Sequence, residues 1–159
     1  MASIISAGTT SGTALNMSGD TSGVLQLATN GTTTAVTIDT SQNLAFNSGY
    51  GSVATAYGCR AWATFVASSG AISGSGNCSS ITRNGVGDYT FNFSTALTDA
   101  NYAIIGTCKP ASSQTNTSYA RSLVVYYNTA PSTTSFRFLT ITSGIGPEDF
   151  DKNYVAVFR

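Results

Sequence analysis

Residues 78–93, CSSITRNGVGDYTFNF, decide the fold that the sequence predicts. Tyr89, Phe91 and Phe93 alternate with polar residues, and this period of two is typical of a strand that buries one face. The segment before them, RNGVGD at 83–88, has the residue types that reverse a chain in a hairpin. We therefore predict an antiparallel hairpin whose aromatic face enters the core.

Further segments of strand length lie on both sides of this hairpin. Stretches rich in Ser, Thr, Asn and Pro separate them, and segment 70–77 has the composition of a Ser/Gly turn. The predicted strands are 60–66, 101–108, 121–127, 135–142 and 153–158. Roughly six or seven antiparallel strands without a helix indicate a β-sandwich in an all-β protein.

The N-terminal third differs in composition from the rest of the chain. The first 57 residues contain no Lys or Arg, and their only acidic residues are Asp20 and Asp39. Every basic residue and the only tryptophan lie in the remainder. We therefore predict one domain at 1–57 and a sandwich head at 58–159.

Apolar clusters recur in the first domain at roughly ten-residue spacing, which predicts short strands separated by turns. The clusters lie at 15–17, 24–27, 36–38 and 44–46. Such strands bury too little surface to offset roughly 1 to 2 kcal/mol of backbone entropy per residue. We therefore predict a homotrimeric β shaft in which three intertwined chains bury Leu25, Leu27, Val36 and Ile38 together. A disordered, low-complexity leader is the alternative interpretation.

Composition argues against several classes of protein. The seven basic and seven acidic residues cancel and form no basic run, which argues against nucleic-acid binding. No apolar stretch approaches the roughly 18 residues of a membrane span, and no signal-peptide pattern opens the chain, so we expect folding where the chain is translated. Cys59, Cys78 and Cys108 are expected to be reduced, although a Cys78–Cys108 or a Cys59–Cys78 bridge stays open.

Several ordered segments resemble bacteriophage tail-fibre proteins. LQLATNGTTTAVTIDTSQN at 25–43 resembles a segment that precedes the distal domain of such fibres. RAW at 60–62, CSSIT at 78–82, GDYTFNF at 87–93, DANYA at 99–103 and VAVFR at 155–159 resemble their C-terminal head. The resemblance touches both predicted domains, but segment 109–119 carries no motif of the family, and no set of ligand-contacting residues carries over.

The resemblance implies a trimeric structural protein of a phage or prophage virion. Such a protein is made in the host cytoplasm, exposed on the particle, joined to other virion proteins and attached to a bacterial surface glycan or protein. A capsid decoration or spike protein with a structural role is the alternative within this class. Because Met1 leads directly into the predicted shaft, we expect either a short complete fibre or a fragment.

Few residues are available for catalysis or for a metal. The chain has no histidine, which excludes Ser-His-Asp and Cys-His nucleophilic systems, and its cysteines lack the C-x-x-C spacing of zinc sites. Glu148, Asp149 and Asp151 cluster as the acids of a polysaccharide depolymerase or the ligands of Ca²⁺ would, but a solvated turn is the favoured interpretation. We therefore expect no enzyme activity, no metal and no cofactor, with a depolymerase as the less favoured alternative.

Aromatic and amide side chains in loops are the predicted receptor contacts. Aromatic rings stack on sugars or fill protein pockets, and amides bond to hydroxyl groups. The predicted contacts, centred on the polar loop 109–119, are Gln114, Asn116, Tyr119, Tyr127 and Phe150. Because Tyr126 and Tyr127 are adjacent on a predicted strand, one of them is expected to point inward. A monomeric secreted lectin is a third alternative.

Overall fold

The computed structural model describes residues 2–7, 15–30, 33–47, 53–111 and 119–159. Within these ranges the protein is all-β, with several antiparallel sheets and no helix. The described residues therefore include no helix of the length and apolarity that crossing a membrane requires. The chain divides into two compact units, Met1–Tyr57 and Gly58–Arg159.

The described strands of the N-terminal unit form one six-stranded sheet. They are β1 (Ser3–Ala7), β2 (Leu15–Ser18), β3 (Leu25–Thr29), β4 (Thr33–Ile38), β5 (Leu44–Phe46) and β6 (Ala54–Thr55). Their order is β2-β1-β3-β4-β5-β6, with β1 and β3 parallel and every other pair antiparallel. The apolar spacing predicted β2 to β5 but not β1 or the two-residue β6. These described strands pair with one another within the chain.

One face of this sheet carries apolar residues on all six strands. The strand register identifies these residues, because cross-strand partners point to the same side of a sheet. A first row consists of Met17, Ile5, Leu27, Val36, Phe46 and Ala54, and a second row of Ser3, Leu25, Ile38 and Leu44. We call these two rows the N-terminal apolar face. Within one chain the face is uncovered: Leu27 is 44% exposed and Met17 is 75% exposed.

The turn between β4 and β5 is held by Asp39. Its carboxylate accepts hydrogen bonds from the backbone N–H groups of Ser41 and Asn43, each at 2.9 Å, and from the Asn43 amide at 3.0 Å. The Asn43 side chain and then its backbone N–H are the main reasons that the pKa of Asp39 lies below its ordinary value of 3.8. Gln42 adopts a φ of 64°, and the turn lies between the predicted apolar clusters at 36–38 and 44–46.

The C-terminal unit contains two antiparallel sheets. The strands are β7 (Cys59–Val66), β8 (Ile72–Gly76), β9 (Cys78–Gly85), β10 (Asp88–Phe93), β11 (Ala103–Lys109), β12 (Arg121–Val125), β13 (Ser135–Thr142), β14 (Gly146–Pro147) and β15 (Lys152–Phe158). One sheet has the order β12-β13-β10-β9, with β14 paired to β13, and the other has the order β11-β15-β7-β8. The predicted hairpin is β9 and β10.

A buried core joins these two sheets. Tyr89, Phe91 and Phe93 are buried in it, which confirms the aromatic face that the period of two predicted. Phe65 of the second sheet meets Tyr89 and Phe138 of the first edge to face, with ring centroids 5.1 and 6.1 Å apart. Such aromatic pairs stabilise a core by about 0.5 to 1.5 kcal/mol beyond the area they bury.

The prediction of a turn at 70–77 was wrong in part, because Ile72–Gly76 is the edge strand β8. The sequence ISGSG has little intrinsic strand preference, and its pairing with β7 makes it a strand. The absence of a side chain at Gly76 leaves room for Trp62, because a Cβ on Gly76 would lie 2.6 Å from Nε1 of Trp62. The indole ring therefore lies directly against the β8 backbone.

Candidate functional site

Two tyrosines stack on the surface of the C-terminal unit just after β12. The backbone N–H of Tyr126 donates to the carbonyl of Arg137 at 2.9 Å, which fixes the chain beyond the last β12 residue. The rings of Tyr126 and Tyr127 are stacked, with centroids 5.2 Å apart and planes 27° apart. Tyr127 is 88% exposed. The expectation that one of the two points inward is corrected, because neither lies on a strand and the two rings stack on each other.

The stack continues through an arginine. The guanidinium carbon of Arg137 lies 4.1 Å from the centroid of the Tyr126 ring, within the range of a cation–π contact. Arg137 also donates twice to Asp88, from Nε to Oδ1 at 2.8 Å and from Nη2 to Oδ2 at 2.5 Å. The hydrogen bond from Arg137 is the main reason that the pKa of Asp88 lies below its ordinary value. Asp88 is therefore an ionised carboxylate at neutral pH.

Hydroxyl and amide groups extend this cluster across the sheet. Asn84 donates from Nδ2 to Asp88 at 3.2 Å and to Thr90 at 3.0 Å. In the strand register, Thr90 lies between Arg137 on β13 and Thr82 on β9. Tyr126, Arg137, Thr90 and Thr82 therefore form one row across the outer surface of the sheet.

A second polar row lies beside the first. Asn92 pairs with Ser135 on one side and Ser80 on the other. Its amide donates to the hydroxyls of Ser80 at 3.0 Å and Thr82 at 3.1 Å. We call these two rows, together with Tyr127, Asp88 and Asn84, the polar face of the C-terminal unit, and we take it as the candidate site.

Of the predicted receptor contacts, Tyr127 belongs to the polar face. Tyr119 is 41% exposed and precedes β12. Gln114 and Asn116 lie outside the described residues. Phe150 requires a correction: it is only 3% exposed, with the guanidinium of Arg121 5.9 Å from its ring centroid, so its ring is not available to a receptor.

Sequence reasoning missed Arg137, Asp88 and Asn84 as members of the site. One signal was present: Arg137 is the one charged residue in the otherwise uncharged strand SFRFLTIT, on the side opposite Phe136 and Phe138. Asp88 and Arg137 are 49 residues apart in sequence. Their pairing therefore depends on the alignment of β10 with β13, which no local pattern specifies.

The three acids of the loop before β15 have different partners. Glu148 accepts a hydrogen bond from the hydroxyl of Thr142, and Asp151 forms an ion pair with Lys109 at 2.5 Å. Asp149 accepts from the N–H of Gly87 at 2.8 Å, the hydroxyl of Tyr89 at 2.6 Å and Nη2 of Arg83 at 2.6 Å. These partners lie on β9, on β10 and in the turn between them, so Asp149 joins the β9–β10 hairpin to the last loop.

The metal and thiol chemistry of the described residues is limited. In these ranges no three His, Cys, Asp or Glu side chains lie close enough together to hold a metal ion. Cys59, Cys78 and Cys108 are free thiols. Burial raises the pKa of both Cys78 and Cys108 to about 11, which disfavours the reactive thiolate at neutral pH.

The pattern of titrating groups predicts how stability varies with pH. Burial raises the pKa of Asp149, but its bonds from Arg83, Gly87 and Tyr89 outweigh burial and hold the pKa below 3.8, and the pKa of Asp88 is also lowered. A carboxyl group whose pKa is lower in the folded than in the unfolded state stabilises the fold at pH values above its unfolded-state pKa. This stabilisation is lost as the pH falls through its folded-state pKa. The chain has no histidine. We therefore expect the free energy of unfolding to be nearly constant from about pH 5 to 8 and to fall below about pH 4.

Guanidinium unfolding at a series of pH values measures this dependence. An Asp88→Asn variant is the matched test, because it removes one lowered carboxyl and should flatten the decline below about pH 4. A steep loss of stability between about pH 5 and 7 would contradict the assignment, since no side chain with a resolved shift titrates there.

The other sheet carries an apolar groove on its outer surface. The groove has a volume of about 360 Å³, and its lining includes Trp62, Ile105, Tyr154 and Ala156. Trp62 is 44% exposed and Ile105 is 59% exposed. This mostly apolar lining differs in chemistry from the hydroxyl, amide and charged groups of the polar face.

Comparison of the chain with protein-family models, curated proteins and solved structures gives no match.

Proposed function

We propose that this chain is a subunit of a homotrimeric bacteriophage fibre or adhesin that binds a bacterial surface without catalysis. Residues 1–57 form the shaft, and residues 58–159 form a β-sandwich head. The protein is made in the host cytoplasm and exposed on the virion, where it joins other virion proteins. The segments at 25–43 and 87–93 that resemble tail fibres support this proposal.

One observation carries the assembly: the N-terminal apolar face is uncovered within a single chain. Leu25, Leu27 and Ile38 are 38, 44 and 39% exposed. Contiguous apolar surface of this kind marks a contact with another protein, because water solvates it poorly. Leu25, Leu27, Val36 and Ile38, the residues assigned to the trimer core from the sequence, all lie on this face.

Three copies satisfy both the apolar face and the strand edges. Around a threefold axis each sheet turns its apolar face inward, and each β2 edge meets the β6 edge of the next chain. Unpaired edges otherwise invite aggregation, so their closure favours a ring of three sheets over two stacked sheets with open edges. The copies then contact one another through their apolar faces and at their strand edges.

The C-terminal unit supplies the binding surface in this proposal. Its two sheets share one core in the manner of a sandwich, and its polar face presents Tyr127 to solvent. Three such faces on one particle tip act at high effective concentration, so a weak site suffices for firm attachment. The acids of a depolymerase would have to be free, whereas Asp149 and Asp151 are engaged with Arg83 and Lys109.

The oligomeric mass tests this proposal directly. Light scattering on the purified chain should give about three times 16.4 kDa, and the value should hold on dilution because dissociation would return the apolar faces to water. A single species at 16.4 kDa contradicts the trimer. Immunogold labelling of virions then distinguishes a tail fibre from a capsid decoration.

A further inference from the structure

We propose that the polar face binds a neutral oligosaccharide of the bacterial surface, with Tyr127 as the stacking platform. This inference rests on the proposed adhesin function and names the ligand class of the same site. Three features of the face carry it: a fixed exposed ring, an internally neutralised charge pair, and two rows of hydroxyl and amide groups.

The Tyr127 ring is held in place although it is almost fully exposed. It stacks on Tyr126 at 5.2 Å, Tyr126 lies 4.1 Å from the Arg137 guanidinium, and Arg137 is fixed by two hydrogen bonds to Asp88. These contacts hold the ring in one orientation, with its outer side facing water. Because the Tyr127 side chain is 88% exposed, it contributes little to the stability of the fold. A ring fixed in advance loses little entropy on binding, and its flat face suits the C–H face of a sugar ring.

The charges of the face indicate a neutral ligand. Arg137 directs two of its N–H groups to Asp88, and the positive and negative charges of the pair cancel. An acidic sugar or a phosphate would have to compete with the Asp88 carboxylate for Arg137 and would meet the repulsion of that carboxylate. Uncharged hydroxyl groups meet no such repulsion, so a neutral ligand is favoured.

The hydroxyl and amide rows give the face its length. The row Tyr126, Arg137, Thr90 and Thr82 spans three strand spacings, roughly 14 Å, which exceeds the width of one sugar ring. Ser80 and Asn92 add further donors and acceptors in the next row. Protein partners are held mainly by a few buried aromatic or arginine anchors, whereas the two rows present a series of hydroxyl and amide groups spread over several strands.

The test is binding of the labelled full-length protein to a panel of bacterial strains. For strains that bind, periodate treatment of the cells, which cleaves vicinal diols of sugars, should abolish binding, whereas protease treatment should not. Binding should also survive a rise from about 0.1 to about 1 M NaCl, because screening weakens only charge attraction. Loss of binding after protease treatment or in high salt would overturn the inference in favour of a protein or an anionic ligand.

Variants at the platform assign the binding to this face. Tyr127→Ala should weaken binding per head by about tenfold, the size of a lost aromatic contact, whereas Tyr127→Trp should keep it. Tyr57→Ala, which removes a tyrosine that is 75% exposed in the other unit, is the matched control and should bind as the parent chain does. Full binding by Tyr127→Ala on responsive strains overturns the inference while the adhesin proposal stands. A trimer that binds no strain overturns both.

Discussion

Leu27→Asp is expected to convert the trimer into single chains of 16.4 kDa. Leu27 lies at the centre of the N-terminal apolar face, paired with Ile5 on one side and Val36 on the other. In the trimer each copy would place a carboxylate among apolar groups near two others. A buried carboxylate without a partner costs roughly 3 to 5 kcal/mol, and the trimer would bury three of them close together. Light scattering measures the change.

Gln26→Asp is the matched control for this substitution. Gln26 is the preceding residue of β3 and points to the opposite face, where its amide lies 3.5 Å from the Thr37 hydroxyl. The same charge placed there should leave the trimer intact. If the protein is monomeric in solution, Leu27 is already 44% exposed, and both variants should change stability by only about 0.5 kcal/mol. Equal behaviour of the two variants would therefore contradict assembly through this face.

Local patterns in the sequence predicted the strands that have strong alternation. Strand β10 follows from aromatic residues at every second position, and Phe136 and Phe138 repeat this pattern in the first half of β13, Ser135–Thr142. Such a pattern works because one face of each strand is buried, and the side-chain period of a strand is two. Where alternation is weak, as in ISGSG of β8, the neighbouring strand decides the structure and the sequence gives no signal.

The candidate site was less predictable than the fold. Tyr127 was selected as an exposed aromatic, but its orientation depends on Arg137 and Asp88, which come from β13 and β10. The separation of 49 residues between these two means that only the strand register brings them together. In the same way, the parallel pairing of β1 with β3 in the N-terminal sheet links segments that no local pattern connects. Contacts of this kind require knowledge of the strand order.

Gly87→Ala is expected to destabilise the C-terminal unit by about 3 kcal/mol or more. Gly87 has a φ of +64°, and a Cβ there would lie 2.5 Å from the N of Glu148 and 2.7 Å from the O of Thr140. Both are backbone atoms, so neither moves without shifting a strand or a loop. The shift would also break the bond of 2.8 Å from the Gly87 N–H to Asp149, which leaves a partly buried carboxylate with fewer donors.

Gly144→Ala separates the two causes of this loss. Gly144 has a similar φ of +79°, but a Cβ there would meet nothing within 4 Å, so only the conformational cost of about 1 to 2 kcal/mol applies. Trp62 is the only tryptophan of the chain and lies on β7, so its fluorescence reports unfolding of the C-terminal unit alone. Guanidinium titrations followed at Trp62 should therefore show a much lower midpoint for Gly87→Ala than for Gly144→Ala. Equal midpoints would mean that the hairpin tip does not pack against Thr140 and Glu148, and that Asp149 does not tie the last loop to the hairpin beside the polar face.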